Sequence, residues 1–173
     1  RTRYNAPGAR VMGLTLEGKM AYLTKFQVQA GVTLQQSHYS EPHVWNKEAP
    51  AVKKMMRTPN TYGYFTATYT PIKPLSIALS GTYTGSMLVP HEPVPGFLEN
   101  PITVNTKDFF DIGLKAAYDF KLYKSMNLQV NAGVQNIFNA YQDDFDKGAD
   151  RDSGYIYGPS LPRSFFAGVK ISY

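Results

Sequence analysis

Cysteine is absent from the 173 residues, which removes disulfide frameworks, thiolate metal sites and thiol nucleophiles. Charge is scarce: Asp, Glu, Lys and Arg make up 18%, against roughly 25% in an average soluble domain, so the surface must carry little of it. No unbroken hydrophobic run exceeds four residues, Met20 to Leu23, far short of the roughly 20 that a membrane-crossing helix needs. Residues 1–10 lack the apolar stretch of a secretory signal. Lys+Arg exceed Asp+Glu by 18 to 13, giving +5, but the excess is scattered without a long basic run and does not favour nucleic-acid binding. Aromatic rings, by contrast, are plentiful at 14%, and where they fall along the chain becomes informative.

Alternation dominates the sequence. Met126, Leu128, Val130, Ala132 and Val134 fall on one face, opposed by Asn127, Gln129, Asn131, Gly133 and Gln135. That period of two is a strand. Residues 164–173 repeat it, with Phe166 alone breaking the polar row, and so do 75–84, 110–120, 26–35 and 12–20. A seventh stretch, 62–69, carries aromatics on both faces. Seven strands and no helix are expected. Short links fall near 22–24, 70–74 and 122–125, and long ones over 39–59, 89–106 and 139–160, so short turns occupy one end of the sheet and long loops the other. Strands of about 9 to 11 residues joined in this way mark an all-β, antiparallel transmembrane β-barrel of the outer membrane.

A soluble β-sandwich or lipocalin-like barrel also alternates. Its exposed face, however, usually carries Lys and Glu, whereas the polar row here is Ser, Thr, Gln, Asn and Gly. Aromatics also gather at strand ends (Tyr22, Phe26, Tyr69, Phe110, Phe120, Phe165, Tyr173), where interfacial girdles sit. Bacterial single-chain barrels have even strand numbers. Seven is odd, and counting back from a periplasmic end places residues 1–9 in an extracellular loop, so residues 1–173 are expected to be one partial domain, the C-terminal part of a larger barrel.

Three segments resemble the C-terminus of a TonB-dependent outer-membrane receptor: Val134-Gln-Asn136-Ile-Phe138-Asn139-Ala-Tyr141, Tyr157-Gly158-Pro159-Ser-Leu-Pro162-Arg163-Ser, and Phe166-Ala-Gly168-Val-Lys170-Ile171-Ser-Tyr173. Gly13–Gly18 and Gln29–Leu34 resemble the family's paired strands. The likeness is nearer to Bacteroidota-like receptors for metal complexes than to glycan receptors that pair with a surface lipoprotein. It implies a barrel of about 22 strands, of which this chain supplies the last seven or so, filled by an N-terminal plug that lies outside these residues. It further implies an extracellular small-molecule ligand such as a ferric siderophore, haem or cobalamin, and energy delivered by a TonB-type protein. Glycan or peptide import is the variant within that class, and a passive porin or structural barrel the rival outside it. No cofactor is called for.

From the residues themselves, Gly168-x-x-Ile171-x-Tyr173 puts two large side chains on the lipid face and a glycine on the lumen side, as an assembly signal read by strand pairing would. Asn136 and Asn139 are expected to cap a strand end, and Pro159 and Pro162 to stiffen re-entry into the last strand. The loop after Tyr141 holds five Asp with Lys147 and Arg151. It lacks the terminal Glu of a calcium loop and is expected to be a solvated segment bridged by its two cations. His38, His43 and His91 are candidate ligands for haem or a metal, set against the commoner surface histidine. Trp45, with Val44, Met55 and Met56, could stack on a macrocyclic ligand or simply pack. Arg1, Arg3, Arg10 and the basic residues of the same loop (Lys47, Lys53, Lys54, Arg57) suit lipopolysaccharide phosphate or an anionic siderophore. The lumen charges Glu17, Lys19, Asp111, Lys115, Asp119 and Lys170 are expected to pair across strands or hold the plug. No Ser-His-Asp set, phosphate loop or carboxylate pair at catalytic spacing is present, so no enzyme is expected.

Overall fold

The computed structural model describes residues 8–123 and 125–173. These form ten strands and, among the described residues, no helix: β1 Ala9–Tyr22, β2 Phe26–His43, β3 Val52–Lys54, β4 Thr61–Ile72, β5 Leu75–Thr84, β6 Leu88–His91, β7 Ile102–Asn105, β8 Phe109–Lys121, β9 Asn127–Gln135 and β10 Ser164–Ser172. Seven lie side by side in the order β1-β2-β4-β5-β8-β9-β10, with β3 added to β2, while β6 and β7 form a separate hairpin. All named pairings are antiparallel, and the sheet is open.

The seven alternating stretches are therefore strands, with corrections at their upper ends. β1 starts at Ala9 and β2 continues to His43, so the loop expected over 39–59 is shorter and contains β3. The alternation is lost after Leu34 because Gln35, Gln36, Ser37 and His38 are all polar, and the strand continues there by backbone pairing with β1. The long link over 89–106 likewise contains most of the β6–β7 hairpin.

Register converts the one-strand pattern into a two-faced sheet. Met20, Val28, Ala67, Leu79, Leu114, Val134 and Phe165 are successive cross-strand partners, a wholly apolar row through seven strands. The adjacent row runs Lys19, Gln29, Thr66, Ser80, Gly113 on the other face. Tyr22, Phe26 and Tyr69 are partners in turn at the short-turn end, and Tyr83 pairs with Phe110 near the loop end. Nothing described covers the apolar face: Leu14, Met20, Val169 and Ile171 are each more than half exposed. A continuous apolar surface of this extent is far beyond what a soluble monomer shows to water.

The exception on the polar face has a steric account. Phe166 lies opposite Gly133, where a Cβ would sit 2.4 Å from its Cζ and 2.5 Å from the Leu114 carbonyl oxygen. Phe65 covers Gly81 in the same manner on the other face. In each case the glycine makes room for a ring from the next strand, which then shields its backbone.

Candidate functional site

The buried core lies beyond the sheet, in the long loops. Val89 of β6, Phe109 at the start of β8, and Tyr155 and Tyr157 of the last loop are its buried members. The spacing Tyr155-x-Tyr157 was the available signal for it, a two-residue alternation inside a loop.

Asp144 accepts both phenols: Tyr155 donates to Oδ2 at 2.7 Å and Tyr157 to Oδ1. Burial works against ionisation of Asp144, but the hydroxyls of Tyr157 and Tyr155 and the Gln142 side chain outweigh it and hold the carboxyl below its ordinary range. The same arrangement pushes Tyr155 up to about 12, first through burial and then through its bond to Asp144, and raises Tyr157 further. Gln142 accepts the Tyr157 amide and donates to the Tyr155 carbonyl. Beside this lies Asp146, whose Oδ2 accepts from His91 Nε2 at 2.9 Å, both side chains almost inaccessible. The His91 ring stacks on Tyr155 at 3.8 Å between centroids.

Three loops meet here. Arg57 (φ +55°) donates to the carbonyls of Gly154 and Ile156, while its own amide donates to Leu88. Asn46 donates to Glu92, and the Glu92 amide donates to Asp152. Lys107 binds Asp143 at 2.6 Å, which raises the lysine and lowers the acid. A cleft of about 250 Å³ opens against this web, walled by Tyr141, Phe145, Ile156 and Tyr157 with Asp146 and Arg151 among its polar lining. Apolar walls with a few polar groups suit binding, and the cluster offers no nucleophile poised beside a base.

Several sequence expectations change at this point. His91 is a buried partner of Asp146, not a surface ligand, and the three histidines are not brought together: His38 is exposed on β2, and His43 packs its ring against Tyr39. The acidic loop is not bridged by Lys147 and Arg151. Lys147 lies over the Phe145 ring and Arg151 donates to the Gly148 carbonyl, while Tyr155, Tyr157, His91 and Lys107 take the carboxylates. Arg57 is committed to loop carbonyls rather than free for phosphate. Arg10 is exposed on β1; Arg1 and Arg3 lie outside the described residues. Trp45 is half-buried with its indole nitrogen enclosed, Met56 forms a bridge with Leu88, and Val44 is exposed, so this loop packs more than it displays.

The six charges expected to line a lumen form no ion pairs with one another among the described residues. The two ion pairs among the described residues are both in the loops, because register sets Lys19 opposite Gln29, Asp111 opposite Thr82 and Lys170 opposite Gln129. Glu17 instead accepts from Tyr64 at 2.8 Å, and Asp119 from Gln129 at 2.8 Å.

The motif residues take architectural places. Asn136 is fully buried at φ +49°, its amide donating to the carbonyls of Ala140 and Leu161 and its oxygen accepting from the Ala140 amide. Asn139 accepts the Arg163 amide, and Ser164 donates to the Pro162 carbonyl. Gly158, at φ +90°, lies against the Phe109 ring. Phe138 and Tyr141 are exposed. Gly168 sits against the Asn131 amide on the polar face, while Ile171 and Tyr173 are exposed.

No family model matches the chain, and no curated protein matches it in sequence. Among solved structures, it is similar to a crystal structure of the ferric-catecholate import receptor Fiu of E. coli K12 in its closed form, with a TM-score of 0.63 and 20% identity over 93% of this chain. The chain spans 20% of that receptor's length. The likeness establishes a fold similar to part of that import receptor, and it lends nothing to a Bacteroidota-like origin.

Proposed function

We propose that the chain is the C-terminal part of a plug-gated outer-membrane transporter, driven by a TonB-type protein, that imports a scarce metal chelate such as a ferric siderophore, haem or a cobalamin. The observation that carries this reading is the register: seven strands present one apolar face and one polar face of hydroxyls, amides, glycines and scattered charges, as a barrel wall between lipid and an aqueous lumen requires. The similarity in fold to a ferric-catecholate import receptor supports it. On this reading the open edges of β1 and β10 pair with the rest of the barrel, the polar face surrounds the plug, and the loop web faces the extracellular medium beside lipopolysaccharide. The chain binds and conducts and catalyses nothing. Bacteroidota-like metal-chelate receptors remain the source class this reading favours.

The test is deletion of the gene that encodes the chain, with growth followed on single iron sources, haem or cobalamin under limitation. Loss of growth on one chelate, restored by the intact gene but not by one lacking the energy-coupling segment of the plug, is the expected result. Passive, energy-independent uptake of unrelated solutes would replace the importer with a porin.

A further inference from the structure

The two ends of the sheet differ in charge. At the short-turn end lie Lys19, Lys25, Lys73, Lys121 and Lys170, with Asp119 the one carboxylate in the turns and adjoining strand ends among the described residues; Lys115 and Glu17 sit in mid-strand, and the other acids lie toward the loops. None of these ammonium groups has an ion-pair or hydrogen-bond partner among the described residues, and Asp119 accepts from the Gln129 amide. Register places Lys19, Lys115, Lys121 and Lys170 on the polar face. At this end a cleft of about 770 Å³ gathers Lys73, Lys121 and Lys170, three cations against the one carboxylate of Asp119, with the Asn127 amide, the Ser172 hydroxyl and the rings of Tyr118 and Phe120.

Unpaired like charges on one concave surface repel one another, and a low-dielectric wall focuses their field toward whatever enters. Ammonium groups donate to any oxyanion, but the Asn127 amide and the Ser172 hydroxyl between them also suit the main-chain donors and acceptors of a polypeptide. Anionic lipid headgroups are the other source of negative charge. They would have to lie on the apolar side, whereas Lys19, Lys115, Lys121 and Lys170 face away from it.

We propose that this basic cleft docks an acidic polypeptide segment, rich in Asp or Glu, at the short-turn end of the polar face. The proposal rests on the polar face being a lumen only for its location; the charge argument stands on the sheet alone.

The experiment uses the protein purified in detergent, a labelled decaglutamate peptide and vesicles of phosphatidylglycerol, at low and at physiological ionic strength. The variant Lys73→Gln/Lys121→Gln/Lys170→Gln is compared with Lys53→Gln/Lys54→Gln from the loop end, with β-sheet circular dichroism confirming that both fold. Peptide binding that weakens with salt, as exposed charge attraction does, and falls at least tenfold in the triple variant but less than twofold in the double is expected. Unchanged affinity in the triple variant, no binding of decaglutamate by the parent protein, or dependence of vesicle binding but not peptide binding on the three lysines would overturn the proposal. Whether the protein needs detergent to stay dispersed is read in the same preparation. If it does not, the membrane reading fails while the peptide result stands or falls separately.

Discussion

Leu79 is the fifth of ten residues in β5, flanked by Ala67 and Leu114 on the apolar face, and 37% exposed. If that face meets lipid tails, Leu79→Arg places a charge near the bilayer midplane, which costs about 2–4 kcal/mol in outer-membrane barrels. Loss of the packed part of the leucine adds roughly 1 kcal/mol. The sum, about 3–5 kcal/mol, is roughly two to three and a half orders of magnitude in the folding equilibrium. Ser80→Arg, one residue on and facing the polar side between Thr66 and Gly113, is expected to change stability by no more than about 0.5 kcal/mol. Equilibrium urea unfolding in phosphatidylcholine vesicles measures both. Trp45, the single tryptophan and half-buried in its loop, is a built-in fluorescence probe. A difference between the two variants below about 1 kcal/mol refutes the lipid-facing assignment, since in water an arginine on that face would carry no dehydration cost.

Replacing Asn136 by Ala removes three hydrogen bonds to a buried turn and leaves a β-carbon residue at φ +49°. At about 1 kcal/mol for each bond and for the backbone, a loss of about 3–4 kcal/mol in the same assay is expected, with Asn136→Gly recovering about 1 of it; equal losses for both would show that the backbone conformation is unimportant. For the loop web, the depressed Asp144 stabilises above the ordinary carboxylate range and that contribution fades as pH falls through its folded value. The raised Tyr155 stabilises below about 10 and its contribution fades as pH climbs toward about 12. Phenolate absorbance is expected to show a late-titrating tyrosine that moves down in Asp144→Asn; a single unshifted transition in both proteins removes the cluster.

The sheet was legible because each core strand announces its faces residue by residue, and because a strand with one apolar and one polar face tolerates few errors of period. Legibility stopped where the constraint stopped. Above Leu34 the strand continues on hydrogen bonding alone, with nothing apolar to mark it. The loop cluster was partly hidden for a different reason: Asp144, Asp146, His91 and Arg57 are joined over tens of residues, and an aspartate destined for two phenols is indistinguishable in sequence from one destined for water. Asn136 and Asn139 were readable as turn residues, since left-handed backbone and side-chain-to-backbone bonding are local. The missing ion pairs on the polar face could not be read before the register was known, because a shift of two residues would change which charges face each other.

Arg57 grips its neighbouring loop through the carbonyls of residues 154 and 156, atoms that every amino acid possesses. The side chain of Ile156 meanwhile points outward and is 65% exposed. The side chains at 154 and 156 are therefore free to be exchanged without loosening the joint, because the grip is on main-chain atoms alone.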